Sequence, residues 1–157
     1  MGTNLLKSVL HNIGVVVVSA GFALLGVGLD ELLGLQRFRS DGAMIAGALL
    51  VLAGFLVRVW ATYDFYEREM AVISLEPQHA LITTGPYRYS RNPLYLGGNV
   101  FAFLGMSLLA GSPGAVLLTV VNVVFLDRWM IPREERQLAQ QFGDAWTAYR
   151  ARVRRWI

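Results

Sequence analysis

The sequence predicts an all-α integral membrane protein with about four transmembrane helices and a C-terminal amphipathic tail lying in the interface. Three observations carry that prediction. Of the 157 residues, 55% are hydrophobic and only 16% charged, where soluble domains carry about 25% charged residues. Residues 12–29, 42–57 and 92–126 hold no Asp, Glu, Lys or Arg. Six of the fourteen Lys and Arg residues fall between Arg133 and Arg155, among regularly spaced aromatic residues. A chain of this length makes one domain, 1–157. With no cysteine, disulfides, thiolate metal sites and a cysteine nucleophile are excluded. No metal and no nucleic-acid partner is expected.

A spanning helix needs about 20 predominantly apolar residues. The first span is placed near 12–29. Only Lys7 precedes it among basic residues, no clear small-residue cleavage site follows, and it runs into Asp30-Glu31. It is therefore read as retained rather than as a cleaved signal. The second span is placed near 42–60, with Arg58 expected to snorkel or to mark its end. The uncharged stretch 92–126 is broken by Gly111-Ser112-Pro113-Gly114, which makes it a hairpin of two spans near 94–110 and 114–131.

Between the second and third spans, residues 61–93 carry Tyr63, Phe65, Tyr66, Met70, Ile73, Leu75, Leu81 and Ile82. That is too apolar for a linker, and the segment is expected to pack on the membrane surface or over a site. In the tail, 132–157, Leu138, Phe142, Trp146, Tyr149, Val153 and Trp156 fall on one helical stripe. Gly143-Asp144 is expected to interrupt it, the glycine ending one helix and the aspartate capping the next. Arg150, Arg152, Arg154 and Arg155 flank the stripe, as in a helix lying among anionic headgroups. Basic residues favour the cytoplasmic side, so the tail is read as cytoplasmic. Four spans bring the N-terminus, with Lys7, and the 58–93 connection to the same side.

Three clusters then meet at that face. Residues 85–98, Gly-Pro-Tyr-Arg-Tyr-Ser-Arg-Asn-Pro-Leu-Tyr-Leu-Gly-Gly, lead into the third span. Pro93 suits a first helical turn, Arg91 and Asn92 stand beside exposed backbone donors, and Gly97 and Gly98 leave bare helix surface for a ligand or for a neighbouring helix. Asp127-Arg128 lies at the end of the fourth span, where ionisable groups are functional candidates or simple surface pairs. Pro132-Arg133-Glu134-Glu135-Arg136 reads either as a helix N-terminus with acids complementing its dipole or as carboxylates for a ligand's hydroxyl and ammonium groups.

Taken in order, the run from Gly85 to Gly97, the apolar hairpin, Glu134-Glu135-Arg136-Gln137-Leu138, Phe142-Gly143, Trp146, Tyr149 and Arg152-Val153 resemble the isoprenylcysteine carboxyl methyltransferase family. Related membrane phospholipid methyltransferases share parts of the pattern. The resemblance covers about residues 80–157. It implies an all-helical membrane methyltransferase without a Rossmann domain, binding S-adenosylmethionine between the cytoplasmic ends of the last helices and the tail. Its acceptor would be a lipid or lipophilic small molecule drawn from the bilayer.

Carried over by position, the resemblance places Arg91, Asn92, Pro93, Tyr95 and Gly97 in the cofactor pocket. Glu134 and Glu135 form the paired-glutamate element, with Glu135 on the cofactor, and Tyr87 and Arg88 belong to a covering loop. Two positions depart from the family. Asn92 stands where His is common, and Met130 stands where the carboxyl methyltransferases typically carry arginine. Arg128 is the candidate to take over that cation's role of orienting a carboxylate. An amine acceptor would instead need a base; of the two histidines, His11 and His79, only His79 lies in the covering loop. Two alternatives to the methyltransferase are an NADPH-dependent membrane reductase of the sterol-reductase type and a non-catalytic membrane binding protein.

Overall fold

A computed structural model of the chain describes residues 2–69 and 80–157. Four of its helices are long and apolar enough to cross a membrane: α1 (Gly2–Leu33), α2 (Asp41–Glu67), α3 (Pro93–Ala110) and α4 (Pro113–Arg152). They alternate in direction. Asn4 Nδ2 donates to Glu67 Oε1 at 3.0 Å, so α1 begins where α2 ends. At the other end the Phe38 N–H donates to the Gly111 carbonyl at 2.9 Å, which ties the α1–α2 connection to the α3–α4 turn. The all-helical, multi-pass architecture is the one the sequence predicts.

The helices are sorted for lipid. On α1 the buried residues are Ser8, Asn12, Ser19, Ala23, Gly26 and Asp30, at spacings that repeat one face. Leu10, Val17, Val18, Leu24 and Leu25 point outward. Lipid tails are as apolar as leucine, so burial offers leucine nothing. Small and hydrogen-bonding residues gather inside, because they allow close packing and satisfy one another. Between α3 and α4, Asn99 Nδ2 donates to Asn122 Oδ1 at 3.0 Å and Ser107 shares a hydrogen bond with Thr119 at 3.1 Å.

Backbone contact sets the register of α2 against α3. A Cβ on Gly47 would meet the Gly105 carbonyl at 2.7 Å, and a Cβ on Gly105 would meet the Gly47 carbonyl at the same distance. Gly54 and Gly97 oppose one another in the same reciprocal way. The glycine pairs are seven residues apart on α2 and eight apart on α3. At 3.6 residues per turn one extra residue rotates a helix by about 100°, which would swing one glycine out of the contact. The π-helical stretch Leu96–Ala102, which includes Gly97 and precedes Gly105, takes up that residue, as a π-bulge does. A second π stretch, Leu126–Met130, lies in α4.

At the end away from Glu67, α4 starts with Ser112 accepting from the Ala115 N–H at 2.9 Å, Pro113 at the first helical position, and Asp30 Oδ1 accepting from the Gly114 N–H at 2.6 Å. Gly111, at φ 59°, closes α3 in the left-handed region that favours glycine.

Three features differ from the sequence expectations. α2 continues through Tyr63, Phe65 and Tyr66 to Glu67, so these belong to a helix and not to the connection; Met70, Ile73, Leu75, Pro77 and His79 fall outside the described residues. Arg58 neither snorkels nor ends its helix. It is buried, with Nε donating to Asn12 Oδ1 and Nη1 to the Leu94 carbonyl, each at 2.7 Å. Neighbouring α1 and α3 supply the acceptors that water would otherwise have to supply. Finally, helix α4 carries on through Pro132, because the π stretch ahead of it relieves the missing N–H. Glu134 and Glu135 therefore lie within a continuous helix, and the reading of them as dipole-complementing N-terminal acids falls.

Replacing Gly54 by Val is expected to lower stability by about 1–3 kcal/mol, as over-packing of a tight contact does, because its Cβ has no space against Gly97. Thermal unfolding in detergent reads this out. An unchanged midpoint would mean that α2 and α3 are not in backbone contact.

Candidate functional site

The site is built where α2 and α3 meet the end of α4. Gly85–Arg88 forms a 3-10 turn with Pro86 and Tyr87 buried. Pro93, fully buried, opens α3 at its first position, where its missing N–H costs nothing. Asn92 precedes it, its side chain donating to the Arg155 carbonyl at 3.0 Å instead of capping the helix.

The chain closes over this corner. α4 kinks at Gly143, whose φ of 49° and ψ of −118° lie outside the helical region; this is the interruption expected at Gly143-Asp144. The last helical turns bring Trp146 and Tyr149 inward, each 3% exposed. Tyr149 donates its hydroxyl to the Tyr87 carbonyl at 2.8 Å. The aromatic stripe thus spends its middle on the protein. Val153 is extended, and the terminal residues turn back along the start of α3. The Arg91 N–H donates to the Arg154 carbonyl at 2.9 Å and Ser90 Oγ to the Arg155 carbonyl at 3.2 Å.

Charge fixes the arrangement. Arg155 donates to Glu135 from Nη2 at 2.8 Å and from Nε at 3.3 Å, and from Nη1 to Asp127 Oδ1 at 3.2 Å. Trp156 Nε1 donates to the same Asp127 oxygen at 3.0 Å. Arg91 Nη1 stands 3.1 Å from Glu135 Oε1, and its guanidinium lies 5.6 Å from the Trp146 ring centre. That contact to Glu135 is an ion pair without hydrogen-bond alignment. Arg91 Nε and Nη1, and Trp146 Nε1, are buried without a hydrogen-bond partner among the described residues. Burial pulls the Arg91 guanidinium down from its ordinary value, with Glu135 opposing. The hydrogen bonds that Arg155 donates to Glu135 push its guanidinium up, and burial pushes the Tyr87 phenol well up. A buried donor left unpaired costs free energy, so Arg91 Nε and Trp146 Nε1, which meet no acceptor among the described residues, are open to an outside one.

Glu134 differs from its neighbour. Tyr95 donates its hydroxyl to Glu134 Oε1, and no cation pairs with this carboxylate among the described residues. The structure therefore brings together Tyr87, Arg91, Asn92, Pro93, Tyr95, Glu134 and Glu135. Arg88 is exposed. Arg128 does not join the cluster; its side chain is 74% exposed and 3.7 Å from Asp127. The surface of Gly97 and Gly98 is covered by α2 and the Arg58 side chain, so these glycines serve helix packing. Arg155, Trp146 and Arg58 were not singled out as site residues from sequence. Arg155 looked like one more cation of a basic tail and Trp146 like one member of a lipid-facing stripe. Arg58 alone carried a signal, as a charge inside an apolar run.

A family model described as phospholipid methyltransferase matches residues 43–145, from the first turns of α2 to the kink in α4. A probable protein-S-isoprenylcysteine O-methyltransferase of Oryza sativa subsp. indica is 33% identical over 109 residues, 68% of this chain and 56% of that protein. A protein-S-isoprenylcysteine O-methyltransferase of Schizosaccharomyces pombe is 35% identical over 75 residues, 48% of this chain and 31% of that protein. An uncharacterized protein of Haemophilus influenzae is 33% identical over 54 residues, 34% of this chain and 86% of that protein. The chain thus spans about half, or less, of the named methyltransferases it matches. No solved structure matches.

Arg155→Ala removes the shared partner of Glu135 and Asp127. It is expected to cost about 1–3 kcal/mol, the range for charged hydrogen bonds left unmade, and to speed deuterium exchange at the Arg91 amide. Wild-type exchange at that amide would show that the terminal residues do not hold this corner.

Proposed function

This chain belongs to the phospholipid methyltransferase family, and on that premise we propose that it transfers a methyl group from S-adenosylmethionine to a lipophilic, membrane-embedded acceptor. The observation that carries the reading is the convergence of the α3 entry with the acidic part of α4, seen in the Arg91–Glu135 and Tyr95–Glu134 contacts. The residues fit the cofactor. It presents a carboxylate, an ammonium group and ribose hydroxyls. Among the described residues, the corner offers buried Arg91 Nε and Trp146 Nε1 without hydrogen-bond partners and a Glu134 carboxylate without a cation.

In this reading Arg91 and Trp146 donate to the cofactor's anionic and hydroxyl oxygens, and Glu134, steadied by Tyr95, accepts from its cationic or hydroxyl groups. Glu135 positions Arg91. Asn92, Pro93 and Tyr87 shape the wall, and the terminal residues close it. When bound, S-adenosylmethionine supplies an electrophilic methyl on a sulfonium. Displacement at that carbon requires alignment, and holding both partners in line supplies much of the acceleration. A metal or covalent nucleophile is not needed for it. Both termini are assigned to the cytoplasm: Lys7, Arg68, Arg88, Arg133, Arg136 and the terminal arginines share the site's end of the bundle, against Arg37 and Arg39 at the other.

Equilibrium titration of the purified chain tests the proposal. S-adenosylmethionine is expected to bind at micromolar concentration. Arg91→Ala and Glu134→Gln should each weaken it by roughly tenfold or more, the scale of a charged hydrogen bond. Binding of NADPH in its place, or wild-type affinity in both variants, would overturn the assignment.

A further inference from the structure

Arg58 carries a charge that the helix bundle does not use. Its two protein contacts, Nε to Asn12 Oδ1 on α1 and Nη1 to the Leu94 carbonyl on α3, bridge three helices, and a neutral amide has enough donors to make both. Asn12 is in turn fixed, donating to the Ser8 carbonyl and to Thr62 Oγ1 at 2.8 Å each. Nη2 makes no hydrogen bond among the described residues, and it is not among the sealed, unpartnered atoms. The residue keeps 9% of its exposure. No carboxylate among the described residues lies within ion-pair distance of it. A cation inside a membrane span without a counter-ion is strongly disfavoured. Such residues mark ligand or ion sites unless they are paired.

Its place completes the inference. The carbonyl that Arg58 engages belongs to Leu94, and the next residue, Tyr95, reaches Glu134. The cation and the carboxylate, each without an ion-pair partner among the described residues, therefore flank one turn of α3, with the cation on the membrane side. We propose that Arg58 binds the anionic oxygens, phosphate or carboxylate, of an amphiphile entering from the bilayer. On the methyl-transfer reading, on which this last step rests, that amphiphile is the methyl acceptor. Arg58 then holds its anionic group below the reacting atom, a cation role that neither exposed Arg128 nor Met130 fills.

Native mass spectrometry of the full chain, released from detergent, tests this with four probes: dioleoylphosphatidic acid, oleate, dioleoylglycerol and inorganic phosphate. Wild type is expected to retain the two anionic lipids roughly tenfold better than dioleoylglycerol and not to retain inorganic phosphate. Arg58→Gln, which keeps hydrogen-bond donors and loses the charge, should abolish the preference, and Arg58→Lys should keep part of it. A combined Arg150→Gln, Arg152→Gln, Arg154→Gln variant should retain it in full. Equal retention of dioleoylglycerol by wild type would overturn the proposal, and that comparison needs no variant to fold. So would loss of the preference in the tail variant alone, or Arg58-dependent retention of inorganic phosphate by itself. S-adenosylmethionine titration of the same samples separates the two readings. Lipid preference without cofactor binding sinks only the methyl-transfer assignment, and cofactor binding without lipid preference sinks only the role of Arg58.

Discussion

Contact between the backbones of α2 and α3, at Gly47 with Gly105 and at Gly54 with Gly97, fixes where everything else in the molecule falls. In a bilayer, apolar side chains gain little by meeting one another, so helices associate where small residues let main chains touch. The α3 glycines are one residue too far apart for a regular helix to meet α2, and the π stretch Leu96–Ala102 absorbs the excess. The entry of α3 is thereby set against Arg58. From there Leu94 and Tyr95 divide the contacts, the first taking Arg58 and the second Glu134.

Above this contact the site is a balance of charges. Glu135 and Asp127 are neutralised by Arg155, and Arg91 leans on Glu135. The terminal residues are tied down by main-chain hydrogen bonds to Ser90, Arg91 and Asn92. These interactions hold the corner's shape. Two groups stand outside the balance, Glu134 towards the tail and Arg58 towards the membrane. Together with Arg91 Nε and Trp146 Nε1, buried and without a hydrogen-bond partner among the described residues, they give the corner its capacity for ligands.

The helices were legible in the sequence because charge-free runs of spanning length have few alternatives in lipid. Gly111-Ser112-Pro113-Gly114 marked its turn because each residue has a local reason to be there. The three clusters were also legible as neighbours, since alternating spans bring them to one end. Pairing was not. Glu134 and Glu135 are adjacent in sequence, yet one meets Tyr95 and the other Arg91 and Arg155; the rotation of about 100° from one helical residue to the next separates them, and the π stretch Leu126–Met130 ahead of both sets which way the pair faces. Gly97 and Gly98 suited a neighbouring helix slightly better than a ligand by residue type, and the approach of α2 decides for the helix. Arg58 was expected at the water's edge because its acceptors, Asn12 and the Leu94 carbonyl, come from distant parts of the chain.

Deuterium exchange of the full chain in detergent, with and without S-adenosylmethionine, tests most directly whether these elements form one binding site. Simultaneous protection of residues 87–97, 131–136 and 146–156 is the result this account predicts. Protection confined to one of those segments, or absent from all three, would contradict it.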